Sequence, residues 1–99
     1  MKRTSIKEAE EVIAQGGECI MKIGADWCSP CRAIAPVLEQ ISSESNITVF
    51  EIDVDSEEKS KISEYGVRSV PTVIAYKGGK EISRGTGAMS KPKILQLLS

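Results

Sequence analysis

The sequence predicts an α/β fold, a central mixed sheet of about four to five strands with helices on both faces. Three observations lead there. Short β-branched, apolar runs alternate along the chain with segments whose apolar residues recur at helical spacing. Strands separated by helices are read as parallel, because a helical crossover returns the chain to its starting edge. The last two extended runs are instead joined by Lys77-Gly78-Gly79-Lys80, a hairpin turn, and so run antiparallel.

The elements follow in order. Ser5-Ile6-Lys7-Glu8 is a capping box, with Ser5 as N-cap and Glu8 reaching back. Ile6, Ala9, Val12 and Ile13 then mark one helix face, and Gly16-Gly17 ends the helix. Cys19 to Ile23 is a short apolar strand. Cys31 to about Ser42 is a second helix, with Pro36 inside it as a source of a kink. Ile47 to Val54 is β-branched and apolar, a second strand. Asp55, with Glu58 three residues on, marks a capped helix start; that helix runs to Tyr65 and stops at Gly66. Thr72 to Tyr76 is a third strand, and Glu81 to Arg84 is the returning arm of the hairpin. Ser90 caps a last helix, with Pro92 in its first turn and Ile94, Leu95, Leu97 and Leu98 as its apolar face.

The composition narrows the function. Ninety-nine residues suit one domain, 1–99, able to bury a core without disulfide staples. A net charge of −1 makes no electrostatic case for nucleic acid or an anionic membrane surface, and no apolar run is long enough to span a bilayer. Met1 to Glu11 is charged and lacks the apolar core of a secretory signal, so a cytoplasmic location is expected, where disulfides tend to be transient and catalytic. Asn46-Ile47-Thr48 fits a glycosylation acceptor, which without secretion is a chance match. With three cysteines and no histidine, there is neither a histidine base for a hydrolase triad nor a four-ligand zinc set. No cofactor is implied.

Trp27-Cys28-Ser29-Pro30-Cys31-Arg32 carries the chemistry. It places two cysteines three apart where an apolar strand gives way to a helix, so that both thiols fit within one turn. The helix N-terminus favours negative charge on the first sulfur. A thiolate that can attack a disulfide, with a second thiol beside it to release the product, is a redox reagent. On this reading Cys28 is the nucleophile and Cys31 the resolving thiol. The competing reading is a pair of unrelated core cysteines, or half a metal site. Cys19, at the start of a strand, is read as a small buried apolar residue and given no role.

With this element order around a Trp-Cys-x-Pro-Cys core, the chain resembles the thioredoxin family over nearly its whole length. The resemblance rests on Ala25-Asp26-Trp27-Cys28-Ser29-Pro30-Cys31, on Ala35-Pro36, and on Tyr65-Gly66-Val67-Arg68-Ser69-Val70-Pro71-Thr72. Lys77-Gly78-Gly79 and Gly85-Thr86-Gly87-Ala88 extend it. It implies a thioredoxin fold whose N-terminal strand is at best the short Met1 to Arg3. It also implies a monomeric thiol–disulfide oxidoreductase that reduces disulfide-containing target proteins and is recharged by thioredoxin reductase. Pro71 reads alone either as an ordinary strand-edge proline or as a cis bond in a tight turn. The resemblance implies the second, with Pro71 facing the cysteines and the backbone of Val70 free to pair with an extended substrate. Trp27, Pro30, Val70, Pro71 and Gly87, with Thr86 and Ala88, would form the substrate surface.

Three features depart from the family pattern. Ser29 stands where glycine is usual between the cysteines, a dipeptide that tunes the potential. Gly24 stands where a second tryptophan is usual, which should thin the packing there. Lys22 and Glu51 each put one charge into an apolar strand, where the family carries a buried aspartate and its lysine partner, respectively. The signs look exchanged. Strands covered on both faces tolerate such charges only as a pair; the alternative is that both snorkel to solvent at strand ends. If paired, Lys22 supplies a field that stabilises a thiolate, and Glu51, or a water it holds, takes the role of proton acceptor. Two other functions fit the same residues: a non-catalytic docking module on the same fold, and a glutaredoxin-like, glutathione-dependent reductase.

Overall fold

The computed structural model describes residues 1–99. Its elements are β1 (Lys2–Arg3), α1 (Ile6–Ile13), β2 (Glu18–Gly24), α2 (Ser29–Glu44) and β3 (Thr48–Asp53), then a 3-10 turn (Val54–Ser56). They continue with α3 (Lys59–Glu64), β4 (Thr72–Lys77), β5 (Lys80–Thr86) and α4 (Lys91–Gln96). The sheet has five strands in the order β1-β3-β2-β4-β5. β1 and β2 lie on either side of β3, both parallel to it, while β4 pairs antiparallel with β2 and with β5.

The direction of β4 corrects the crossover expectation. Ile23 at the carboxyl end of β2 pairs with Thr72 at the start of β4. α3 has only six residues, a rise of roughly 9 Å, too short to carry the chain back along the sheet. β4 therefore starts at the end where β3 finished and runs the other way. The start of α3 also differs from the capping pattern read at Asp55. The Asp53 carboxylate accepts the Asp55 amide at 3.0 Å and closes the 3-10 turn; α3 begins only after Glu58, whose side chain makes no cap bond. Aspartate side chains bond readily to the backbone two residues on, and here the earlier one wins.

Strand alternation sorts the core into two layers. Cys19, Met21 and Ile23 of β2 face α1 through Ile6, Ala9 and Ile13, together with Phe50, Ile52 and Ile74 from neighbouring strands. Ile20, Val49, Val73 and Ala75 face the other way, onto Ile34, Leu38 and Ile41 of α2 and Ile94, Leu97 and Leu98 of α4. Each buried aliphatic side chain contributes on the order of 1.5–3 kcal/mol. Lys22, Gly24 and Glu51 belong by this alternation to the α2 side, where they share a cleft with Cys31, Arg32 and Ala35 of that helix. No helix is long and apolar enough to cross a membrane.

Candidate active site

β2 ends at Gly24, and the chain turns through Ala25-Asp26-Trp27 into α2. Cys28 is the N-cap, with extended backbone (φ −94°, ψ 113°), and its Sγ accepts the Cys31 amide at 3.2 Å. Sulfur thus takes the place of the usual capping oxygen, where the unpaired amides and the positive end of the helix dipole converge. Ser29 and Pro30 follow at the surface; proline in a first turn sacrifices no helical hydrogen bond. Cys31 faces inward one turn along. The two cysteines form a disulfide with Cα atoms 5.2 Å apart. Cys28 is 6% exposed and Cys31 only 2%, so a partner reaches the first sulfur more readily.

The β4 entrance lies against this helix start. The Val70–Pro71 peptide is cis, and the Val70 carbonyl oxygen is 3.7 Å from Cys28 Sγ. Pro71 itself is buried, and its carbonyl accepts the Gly87 amide at 3.0 Å, which ties the late loop to the same edge. Gly87 has φ 78°, a left-handed conformation that suits glycine. Trp27 is 67% exposed, with its indole N–H donating to Asp55 Oδ2 at 2.9 Å. The ring forms one wall of a groove of about 300 Å³, completed by Val54, Ile62, Val67, Arg68 and Val70. An apolar groove with a free carbonyl beside a sulfur suits an extended peptide.

A second cleft, about 270 Å³, opens on the other side of Cys31. Its walls carry Arg3, Lys22, Gly24, Asp26, Arg32 and Glu51. Arg3, Glu51 and Lys22 are direct register partners across β1, β3 and β2, so a positive, a negative and a positive side chain lie abreast. Lys22 is 3% exposed and donates to Glu51 Oε2 at 3.0 Å. The Glu51 side chain is 21% exposed, and its Oε1 accepts from Arg3 Nε at 3.2 Å. Arg3 also donates to both oxygens of Asp26, at 2.6 and 3.5 Å, and holds that carboxyl below the usual aspartate range. Arg32 donates to the Asp26 carbonyl at 2.7 Å and to Ser29 Oγ at 3.1 Å. Every buried side-chain polar atom has a partner.

Gly24 is where the cleft meets the dithiol. A Cβ built there would lie 3.0 Å from Cys31 Sγ and 3.4 Å from Lys22 Cε. The lysine stem and the inner sulfur therefore flank a space only a methyl group wide, and the missing side chain leaves room for the lysine rather than a void. Cys19 lies apart, buried in the α1 layer, where burial pushes its thiol up. No group of three or more Cys, Asp or Glu side chains converges in a way that would hold a metal ion. Sequence reading missed Arg3, Asp26, Asp55 and Arg32 as parts of the site. The one available signal was an arginine in the short N-terminal strand, of opposite sign to Glu51.

This fold, with an N-capping cysteine bonded to a second cysteine one turn inside the helix, defines the class of thiol–disulfide oxidoreductases. The thioredoxin family model matches residues 2–99, and the chain belongs to that family. It is 36% identical over 84 residues to a thioredoxin of Chlamydia trachomatis, which covers 84% of this chain and 81% of the relative. It is 37% identical over 91 residues to the bifunctional thioredoxin reductase/thioredoxin of Mycobacterium leprae, covering 90% of this chain but 20% of that protein. Among solved structures, a single-site mutant of the thioredoxin from Halobacterium salinarum superposes with a TM-score of 0.87 at 28% identity, over 99% of this chain and 86% of the other.

Proposed function

We propose that this chain acts in the cytoplasm as a monomeric, single-domain reductant of protein disulfides, recharged by a thioredoxin reductase. The observation that carries the reading is Cys28 Sγ at the α2 N-cap, accepting the Cys31 amide and facing the Val70 carbonyl. In the reduced form the amides and helix dipole favour the Cys28 thiolate. A target segment lies extended along Val70 and Pro71, with Trp27, Pro30 and Gly87 completing the contact surface. The thiolate attacks the target disulfide; one target sulfur leaves as thiolate and the other stays bonded to Cys28. Cys31 then loses its proton to Glu51, directly or through water, and attacks Cys28 Sγ, assisted by the Lys22 charge. The second target sulfur leaves, and the protein keeps the Cys28–Cys31 disulfide. Two electrons and two protons from the reductase restore the dithiol. The fusion of the two activities in the Mycobacterium leprae relative supports a reductase as donor.

Insulin turbidity with dithiothreitol tests the reading, followed by the same assay with NADPH and a bacterial thioredoxin reductase. Acceleration over the blank in the first supports protein-disulfide reduction, and turnover in the second supports the donor. No acceleration in the first would leave a docking module. Turnover only with glutathione and glutathione reductase would point to a glutaredoxin-like cycle. The proton-acceptor role of Glu51 is tested by Glu51→Gln: a resolution rate with unchanged pH dependence would remove it.

A further inference from the structure

The resolving step asks more of Glu51 than of any other side chain in the cleft. Its carboxylate sits on a flexible stem, at the cleft mouth, and is part exposed. A displacement of about 1 Å at a reacting group can slow a step by as much as a hundredfold. Lys22 occupies Oε2 alone and leaves the carboxylate free to pivot about that contact. The second constraint comes from β1. That strand is only two residues long and makes its register contacts with β3, setting Arg3 beside Glu51. The Arg3 guanidinium then spans two carboxylates. Its Nε holds Glu51 Oε1, and its terminal nitrogens hold Asp26 in the loop that leads to Cys28. Bridging two acceptors on opposite sides is what a planar fork of donors does and a single ammonium cannot.

We propose that Arg3 is a positioning residue for the resolving step: it fixes the Glu51 carboxylate between Lys22 and the Asp26 loop, and so aims it into the cleft at Cys31. This rests on Glu51 as the proton acceptor. Arg3 touches neither sulfur and has no part in the first attack by Cys28, so its effect is confined to the second step. Asp26 serves as the outer anchor of the same fork. The role needs both the geometry of guanidinium and its charge, which is why lysine would replace it poorly.

The two steps can be timed apart with dithiodipyridine, a neutral disulfide that avoids direct attraction to Arg3. In a Cys31→Ser background its reaction with Cys28 reports the first attack. In the protein with both cysteines, rapid mixing reports release of the second thiopyridone by Cys31. Arg3→Gln is expected to slow that release by about three- to tenfold and to change the first attack by less than about twofold. Arg3→Lys should recover less than half of the loss. In a Glu51→Gln background, Arg3→Gln should add nothing, since its effect runs through the carboxylate. Arg3 is exposed on an edge strand, so the variants fold; thermal melts check this. Equal slowing of both steps, or full recovery with lysine, overturns the proposal. If Glu51→Gln slows release while Arg3→Gln does not, the Arg3 role alone fails. If Glu51→Gln leaves release unchanged, the proton-acceptor reading fails and takes this one with it.

Discussion

Lys22 Nζ and Glu51 Oε2 meet at 3.0 Å between β2 and β3, and the pair is unevenly placed. The lysine is almost wholly buried with Glu51 as its partner, whereas the glutamate reaches the cleft and has Arg3 as well. The two ends of one ion pair thus have different alternatives when the other is lost.

That asymmetry sets the order of stability losses. Glu51→Gln leaves a buried ammonium with no counter-charge and is expected to cost about 2–4 kcal/mol. Lys22→Met fills similar volume with an apolar stem and leaves Glu51 with Arg3 and solvent; the change should stay within about 1 kcal/mol of wild type. Urea unfolding of both variants measures this. Equal losses would show that the burial difference does not govern the pair.

Gly24 is packed tightly against the inner sulfur. Its backbone lies outside the left-handed region, so alanine is permitted there, but the new methyl would press on Cys31 Sγ and Lys22 Cε. Gly24→Ala in the oxidised protein is expected to destabilise by about 1 kcal/mol, the overpacking cost exceeding the entropy gained by removing a glycine. A raised denaturation midpoint would contradict the contact.

The thiols should label in a fixed order. In reduced protein at neutral pH, iodoacetamide should reach Cys28 at least about tenfold faster than Cys31, because Cys28 caps the helix at the surface side. Cys19 is buried and its thiol is pushed up, so it should react only on unfolding. Peptide mapping after short exposure gives the order; early label on Cys19 would contradict its placement in the α1 layer.

Asp26 should contribute to the acid limb of stability. Its folded carboxyl is held below the unfolded value, first by the Arg3 hydrogen bond and then by the Arg3 charge. Such a group adds stability above the unfolded value, near pH 4, and loses it as pH falls through the lower folded value. The stability difference between wild type and Asp26→Asn should therefore be present at pH 6 and shrink steadily below about pH 4. Salt should shrink it as well, since both partners are exposed. A difference independent of pH would assign the effect to something other than the carboxylate.

Much of this fold is local and was readable in the sequence. The capping box at Ser5, the N-cap at Ser90, the glycine stops and the Lys77–Lys80 turn each encode their own geometry within a few residues. The Cys28-x-x-Cys31 spacing at a strand–helix junction likewise needs only one turn of helix to bring two sulfurs together. The direction of β4 was misread because it depends on how far α3 reaches along the sheet, and the start of α3 because two aspartates competed for one turn.

By itself the sequence determined a thioredoxin-family chain with an active dithiol and two lone charges in apolar strands. Only the tertiary structure decided what those charges meet. Arg3 and Glu51 are 48 residues apart in the chain, and Lys22 and Glu51 are 29 apart. Their approach depends on strand register and order: one residue of slip on β3 would turn Glu51 into the opposite layer. Helix caps and motif spacing are written in neighbouring residues, whereas a row of side chains across three strands exists only once the sheet has formed.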